Sequence, residues 1–134
     1  MLWGIGPYLA LRHVLRVRAA RKRELAKAKE RSPRWDHFRD EFIHRHPVCA
    51  ACGCLVELQV HHVVPFSVNP ALELLDTNLL VLCMGPHECH FRIGHGGSFK
   101  CHNPRVEKDA EVLRLLPNTR PEVEARAKKT RVRS

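Results

Sequence analysis

The sequence predicts a small α+β domain in which helices flank a pair of short strands. Residues 9–31 and 33–46 have the composition and the apolar spacing of helices. The runs "LQVHHVV" at 58–64 and "NLLVLC" at 78–83 are rich in apolar and β-branched residues, and they are as short as strands usually are. A chain of 134 residues is long enough for one such domain with an extension at each end.

The first helical segment, 9–31, contains many Leu, Ala, Arg, Lys and Glu residues and no Pro or Gly, so we expect a long, exposed, basic helix. Ser32 is a good N-cap and Pro33 fits a first helical turn, which predicts a second helix that ends at Pro47. Three aromatic residues of this second helix are spaced i, i+3 and i+7, and we expect them to face the core. They are Trp35, Phe38 and Phe42.

The C-terminal third of the chain predicts one more helix and a basic tail. Asn103 and Pro104 form a cap followed by proline, and apolar residues follow at helical spacing. These apolar residues are Val106, Ala110, Leu113 and Leu116. We therefore divide the chain into a basic N-terminal helical arm at 1–32, a central domain at 33–116 and a basic C-terminal tail at 117–134.

Positive charge is concentrated at the two ends of the chain. Residues 1–46 carry 12 Lys or Arg against 5 Asp or Glu, residues 47–110 carry 4 against 6, and residues 111–134 carry 7 against 3. Basic ends around a nearly neutral centre are typical of proteins that bind polyanions, although a merely solvated basic surface has the same composition. The candidate phosphate contacts in these ends are Arg16, Arg21, Lys22, Arg23, Lys128 and Lys129.

Composition does not name the nucleic acid, because RNA-binding proteins are basic in the same way. A membrane partner is not expected. No apolar run of the sequence reaches the roughly 20 residues that a membrane-spanning helix needs.

Four of the six cysteines are spaced as two pairs of metal ligands. A C-x2-C pair precedes the first predicted strand, and a C-x5-C pair begins at the end of the second. Two such pairs can close a tetrahedral zinc site, which would crosslink a domain that has few large apolar residues. The expected zinc ligands are Cys49, Cys52, Cys83 and Cys89.

The cysteine spacing leaves alternatives open. The thiols could be free and buried, or His87 could replace one of them, while Cys54 and Cys101 are expected to be ordinary thiols. Disulfides are disfavoured because a C-x2-C turn fits unstrained disulfide geometry poorly. Thiolate ligands imply a reducing compartment, so we expect a cytoplasmic protein.

Two adjacent histidines, His61 and His62, lie inside the first predicted strand. Successive side chains of a strand point to opposite faces, so one imidazole is expected on each side. Phosphodiester hydrolysis needs a base for water and a cation for the developing charge. One imidazole can ligate a metal while the other acts as a base near neutral pH, although both could also be purely structural.

The ordered set of motifs resembles the HNH endonuclease family of ββα-metal (His-Me finger) nucleases. That family combines C-x2-C, then His-His or Asp-His followed by two apolar residues and Pro, then Asn-Leu-x2-Leu-Cys, then Cys-His. Residues 49–95 contain these motifs in this order, as "CAAC", "HHVVP", "NLLVLC" and "CH". The resemblance implies a ββα-metal core crosslinked by the zinc site and flanked by α-helices, in a small stand-alone protein of the bacterial and phage type.

The resemblance implies a role for each matching residue. His62 matches the general base, and Asn78 matches the central asparagine that holds the base-bearing loop or lies close to the metal. His61 and His90 match ligands of one catalytic divalent ion, with Mg²⁺ expected and Mn²⁺ or Ni²⁺ as alternatives for imidazole ligands. His95 lies one place beyond a further histidine of some members, so it is a candidate third ligand, phosphate contact or helix cap.

The resemblance also implies a substrate and its products. The implied substrate is DNA, expected to be double-stranded. The implied products carry a 5′-phosphate and a 3′-hydroxyl end. Arg92, two residues after His90, is a candidate phosphate clamp, and a phage or host protein partner is compatible with the resemblance. The competing interpretation is a catalytically inactive, zinc-crosslinked nucleic-acid-binding protein, which would keep the cysteines and the basic ends.

Overall fold

The computed structural model describes residues 7–27 and 29–134, which belong to two compact units, one up to Arg31 and the other from Ser32 to Ser134. The described residues form a mixed α+β structure with small sheets, which confirms the predicted fold class at that level. Its helices and strands are α1 (Pro7–Lys27), α2 (Trp35–Arg45), β1 (Leu58–His62), β2 (Leu79–Cys83), β3 (Cys101–His102), α3 (Val106–Leu115), α4 (Arg120–Thr130) and β4 (Val132–Arg133). Single helical turns lie at Pro70–Leu72, Asp76–Asn78, His90–Gly94 and Pro117–Thr119.

Helix α1 dominates the described part of the first unit. The side chains at 11–27 are all exposed. Over these residues the helix therefore depends mainly on the intrinsic propensity of its Ala, Leu, Arg and Lys residues. The predicted long basic helix is confirmed for Pro7–Lys27, with its side chains exposed over 11–27, and it ends before the predicted limit at 31.

Helix α2 supplies the aromatic residues that cover one face of the sheet. Its start is preceded by a turn in which the Ser32 hydroxyl accepts a hydrogen bond from the Arg34 backbone N–H at 3.2 Å. Trp35 and Phe42 are buried and Phe38 packs against them, which confirms the predicted aromatic stripe. The strand residues of the same core cluster are Val60, Leu79 and Val81.

The sheet that carries the histidines consists of β1 and β2, paired antiparallel with His62 opposite Leu79. Because side chains alternate along a strand, Val60 points toward α2 while His61 points to the other face. That other face is covered by the helical turn His90–Gly94, which belongs to the second core cluster through its buried Ile93.

The C-terminal helices close the domain around a buried polar network. Asp109 of α3 is fully buried and accepts a hydrogen bond from the Asn103 side chain at 2.7 Å. The same Asn103 amide donates to the Ile93 carbonyl at 3.1 Å, which ties α3 to the histidine-bearing turn. Arg126 of α4 donates to Asp109 through Nε at 3.1 Å, so α4 is held to the same network.

The segment 117–134, interpreted from the sequence as a basic tail, instead contains α4 and β4. Val123 and Ala127 of α4 are buried in the core, and β4 pairs with β3. Helix α4 was missed because its apolar residues are few and small. Its strongest contact with the rest of the domain is the bond from Arg126 to the carboxylate of Asp109 on α3. Leu116 also differs from expectation, since α3 ends at Leu115 and Leu116 is exposed.

Replacing Arg126 by Ala should destabilise the protein, because the carboxylate of Asp109 would stay buried without its cation. We expect a loss of about 2 to 3 kcal/mol in the free energy of unfolding, below the value for a fully buried pair because the guanidinium is partly exposed. Urea denaturation at saturating zinc measures it. The exposed Lys129→Ala, on the same helix, is the control, and an equal loss in both variants would contradict the assigned role of the pair.

Candidate functional site

Three imidazoles converge beside the sheet. His61 comes from β1, His90 begins the turn His90–Gly94, and His95 follows it. Each offers one ring nitrogen, and these three nitrogens lie within 4.8 Å of one another. The ring centres are 4.9 to 5.1 Å apart. The sequence-predicted ligands His61 and His90 are therefore brought together, with the candidate His95 as a third member.

The turn His90–Gly94 is π-helical, and this geometry is what aligns two of the histidines. The His95 backbone N–H donates to the His90 carbonyl at 3.1 Å, a bond between residues five apart. In a regular α-helix the residue one turn after His90 would be Gly94, four places later. The wider π-helical turn places His95, five places later, beside His90 instead.

His61 carries the clearest sign that the cluster binds something. The residue is 2% exposed, and its Nε2 is the one buried side-chain nitrogen or oxygen without a hydrogen-bond partner in the described part of the chain. Such an atom costs about 1 to 3 kcal/mol unless a partner satisfies it. Gly94 permits the close packing, because a Cβ there would lie 2.9 Å from the His61 ring.

The other two imidazoles are oriented by acceptors behind them. The Nδ1 of His90 lies 3.0 Å from the side-chain oxygen of Gln59, and the Nδ1 of His95 lies 2.7 Å from the carbonyl oxygen of Cys101. An acceptor at Nδ1 assigns the proton to that nitrogen and the lone pair to Nε2. This arrangement is typical of metal-binding histidines, and it makes the donor set fit a divalent cation.

Burial keeps the three imidazoles neutral. Desolvation lowers the pKa of His61 well below its usual value, and the neighbouring imidazoles lower it further. Burial lowers the pKa of His90 to about 4 and also lowers the pKa of His95. All three are therefore unprotonated at pH 7, which is the form that can ligate a metal.

His62 lies in a different environment from its neighbour. Its ring lies against that of Trp35 of α2, with centres 4.7 Å apart and the ring planes tilted by 33°. Its Nε2 lies 3.1 Å from the carbonyl oxygen of Glu73. Because a carbonyl only accepts, Nε2 carries the proton of the neutral ring and Nδ1 is the basic nitrogen.

Asn78 holds in place the loop that contains Glu73, whose carbonyl bonds to His62. Its side-chain oxygen accepts from the Val64 N–H at 2.8 Å, and its amide donates to the carbonyls of Val64 at 3.0 Å and Leu72 at 3.2 Å. The side chain is buried, so these bonds are shielded from water. Asn78 thereby fixes the segment before Glu73, and it is placed to orient His62 indirectly.

The four predicted zinc ligands form a second cluster. Their sulfurs all lie within 4.8 Å of one another, which makes the cluster able to hold a metal such as zinc. A hydrogen bond from Cys89 lowers the pKa of Cys49 to about 4 and raises that of Cys89. Burial raises the pKa of Cys52 to about 12, so without a cation the sulfurs cannot all ionise, whereas a bound cation stabilises four thiolates.

The backbone and a nearby guanidinium complete the cysteine cluster. Gly53 takes a φ of +75°, which forms the tight turn of the first pair. Arg120 of α4 donates to the Cys89 sulfur at 3.4 Å. The sulfur of Cys54 lies at the edge of the cluster, where it interacts with the thiols of Cys52 and Cys83 and donates to the Gly85 carbonyl at 3.6 Å.

The basic candidates are spread over the surface. Arg92 forms ion pairs with Glu88 at 3.0 Å and with Glu124 at 3.7 Å, so its charge is partly neutralised. Lys128 and Lys129 are exposed on α4. The candidates of α1, all exposed, are Arg16, Arg21, Lys22 and Arg23.

Gln59 is the site residue that sequence reasoning missed. It lies two places before His61, so both side chains share one face of β1. The signal was present in the alternation of the strand, but it became meaningful only once His90 was placed opposite.

Comparison with known proteins finds no relative of this chain. No protein-family model matches the chain, and neither a curated protein nor a solved structure is detectably similar to it. Among the described helices, none combines the length and the apolar character needed to cross a membrane.

Removing one clustered cysteine should release zinc. We expect the purified protein to contain roughly one tightly held zinc ion per chain, and Cys83→Ser to lose it together with cooperative unfolding, because a structural zinc needs four ligands. Metal analysis and thermal unfolding measure both effects. Cys101→Ser, which removes a thiol outside the cluster, is the matched control, and equal zinc loss in that variant would show that the ligands are misassigned.

Proposed function

We propose that this protein is a metal-dependent endonuclease of the HNH type that hydrolyses phosphodiester bonds of DNA. One observation carries the proposal: the imidazoles of His90 and His95 lie beside the partnerless Nε2 of His61, while the ring of His62, on the other face of the strand, is held through Nε2 by the Glu73 carbonyl. One face of the strand thus offers ligands for a cation and the other offers a base, and phosphodiester hydrolysis requires both.

The local architecture supports the same proposal. The antiparallel pair β1–β2 followed by the turn His90–Gly94 fits a ββα-metal core in which the helical part is reduced to one π-helical turn. The π-helical turn also accounts for the departure of His95 from the family pattern. A π-helical turn brings the fifth residue after His90, which is His95, to the position that the fourth residue would take in a regular helix.

The donor set favours a transition metal over Mg²⁺. The described cluster is made of three imidazoles without a carboxylate. Mg²⁺ prefers oxygen ligands, whereas imidazole suits Zn²⁺, Ni²⁺ and Mn²⁺ better, so we propose one of these as the working ion on His61, His90 and His95. Such an ion would supply Lewis-acid stabilisation of the charge that develops on the phosphate oxygens.

The protein's own groups perform the proton chemistry in the proposed mechanism. The Nδ1 of His62 takes a proton from the attacking water as its oxygen bonds to phosphorus. The imidazolium that forms is stabilised by its Nε2–H bond to the Glu73 carbonyl, which Asn78 holds through the loop. The bond from phosphorus to the 3′ oxygen breaks, and the departing oxygen takes a proton from solvent, which leaves a 5′-phosphate and a 3′-hydroxyl end.

The basic surfaces are proposed to bind the DNA backbone. Exposed Lys128 and Lys129, with the cations of α1, would neutralise phosphates without reading sequence, so affinity should fall steeply with salt. Arg92 is a weaker candidate than the sequence indicated, because its two carboxylate partners must be displaced first.

Replacing His62 by Ala should abolish cleavage with little effect on binding. Loss of a positioned base typically costs 10²- to 10⁴-fold in rate, so we expect a drop of about that size in plasmid nicking. DNA affinity and zinc content should stay unchanged.

His37→Ala, an exposed histidine of α2, is the matched control and should nick at the wild-type rate. Undiminished nicking by His62→Ala would remove this residue from the role of base. Failure of the wild type to nick with Mn²⁺, Ni²⁺, Zn²⁺ or Mg²⁺ would favour the competing interpretation of a binding protein without turnover.

Replacing Gln59 by Ala should weaken metal binding without removing a ligand. Loss of the acceptor behind a ligating histidine typically costs 10- to 100-fold in metal affinity, so we expect about a tenfold weaker Mn²⁺ affinity. Titration followed by electron paramagnetic resonance measures it. Asn118→Ala, on an exposed turn, should leave the affinity unchanged, and an unchanged affinity in Gln59→Ala would contradict the assigned orientation of His90.

A further inference from the structure

An exposed aromatic ring lies directly against the histidine cluster. Phe99 is 58% exposed, and it is the one exposed aromatic residue within 11–27 and 29–134, the ranges whose burial is described. Its ring centre lies 5.0 Å from that of His95 and 6.2 Å from that of His90. The ring of Phe91 supports it from another side at 4.9 Å.

A single exposed apolar side chain is ordinary, but the backbone of the loop that carries this one is hydrogen-bonded on both sides of it. The Gly97 N–H donates to the Phe91 carbonyl at 2.9 Å, and the Cys101 N–H donates to the Ser98 carbonyl at 2.9 Å. Gly96 presses against α4 so closely that a Cβ would lie 2.6 Å from the Ala127 carbonyl oxygen. The loop is thus fastened at both ends, and its exposed ring is preorganised.

Positive charge surrounds the same loop. Arg131 donates through Nη1 to the Gly96 carbonyl at 2.8 Å, and Arg133 of β4 pairs with Cys101 of β3. Lys100 follows the aromatic residue and is exposed. An aromatic ring among cations is the combination by which proteins hold single strands, since the cations track the backbone and the ring stacks on a base.

We propose that Phe99 stacks on the nucleobase beside the scissile phosphate, so that the site prefers DNA in which this base is unstacked. The inference rests on the proposal that the three histidines act on a DNA strand. A base is separated from its phosphate by one sugar, and the ring lies a comparable distance from the imidazoles. In an intact duplex both faces of a base are covered by its neighbours, so a stacking partner must be single-stranded or locally unpaired.

Base stacking can be tested without cleavage in a His62→Ala background. A single-stranded oligonucleotide containing 2-aminopurine is titrated with this protein and with the same protein carrying Phe99→Ala, Phe99→Trp or Phe99→Leu. We expect Phe99→Ala to weaken binding on the order of 5- to 100-fold and to lose the change in 2-aminopurine fluorescence. Phe99→Trp should retain both, and Phe99→Leu should recover little.

The control is Leu55→Ala, which truncates another exposed apolar residue and should change nothing. Unchanged binding by Phe99→Ala, or tighter binding of a fully paired duplex than of the single strand, would overturn the inference. So would a loss of Mn²⁺ affinity in Phe99→Ala that Phe99→Leu restores, because the ring would then merely support His95. If stacking is observed but the wild type does not cut DNA, the proposed hydrolase fails, and with it the placement of the stacked base beside a scissile phosphate, and Phe99 is then a base-stacking residue of a binding protein.

Discussion

The buried Nε2 of His61 is the constraint on which the rest of the site depends. A polar atom in that position destabilises the fold unless something bonds to it. The strand places it there, Gly94 leaves room for its ring, and the π-helical turn brings His90 and His95 around it. A cation shared by the three rings satisfies all of these features together, which no hydrogen-bond donor within the described residues does.

The cysteine cluster and the histidine cluster are linked through the register of β1 and β2. The cysteine end of the pair has Leu58 opposite Cys83, and the histidine end has His62 opposite Leu79. Slipping the register by one residue would exchange the faces of His61 and His62. A cation on the cysteines would therefore do more than stabilise the domain, because it would hold the strand that separates the proposed ligand from the proposed base.

Much of the fold and of the candidate site could be predicted from patterns that are local in the sequence. The aromatic stripe of α2 and the clustering of the four cysteines depend on spacing, and spacing is visible in the chain. What could not be predicted depends on partners distant in sequence. Helix α4 is anchored by a bond from Arg126 to Asp109, Gln59 matters only opposite His90, and a π-helical turn has no compositional signature that distinguishes it from the start of an α-helix.

Anomalous diffraction from crystals grown with Mn²⁺, recorded above the manganese edge, tests the metal assignment most directly. If the three imidazoles form a metal site, one peak lies within bonding distance of His61, His90 and His95, and none lies near His62. An ion coordinated by His62, or no ion at the three rings while His61 stays buried without a partner, would contradict it.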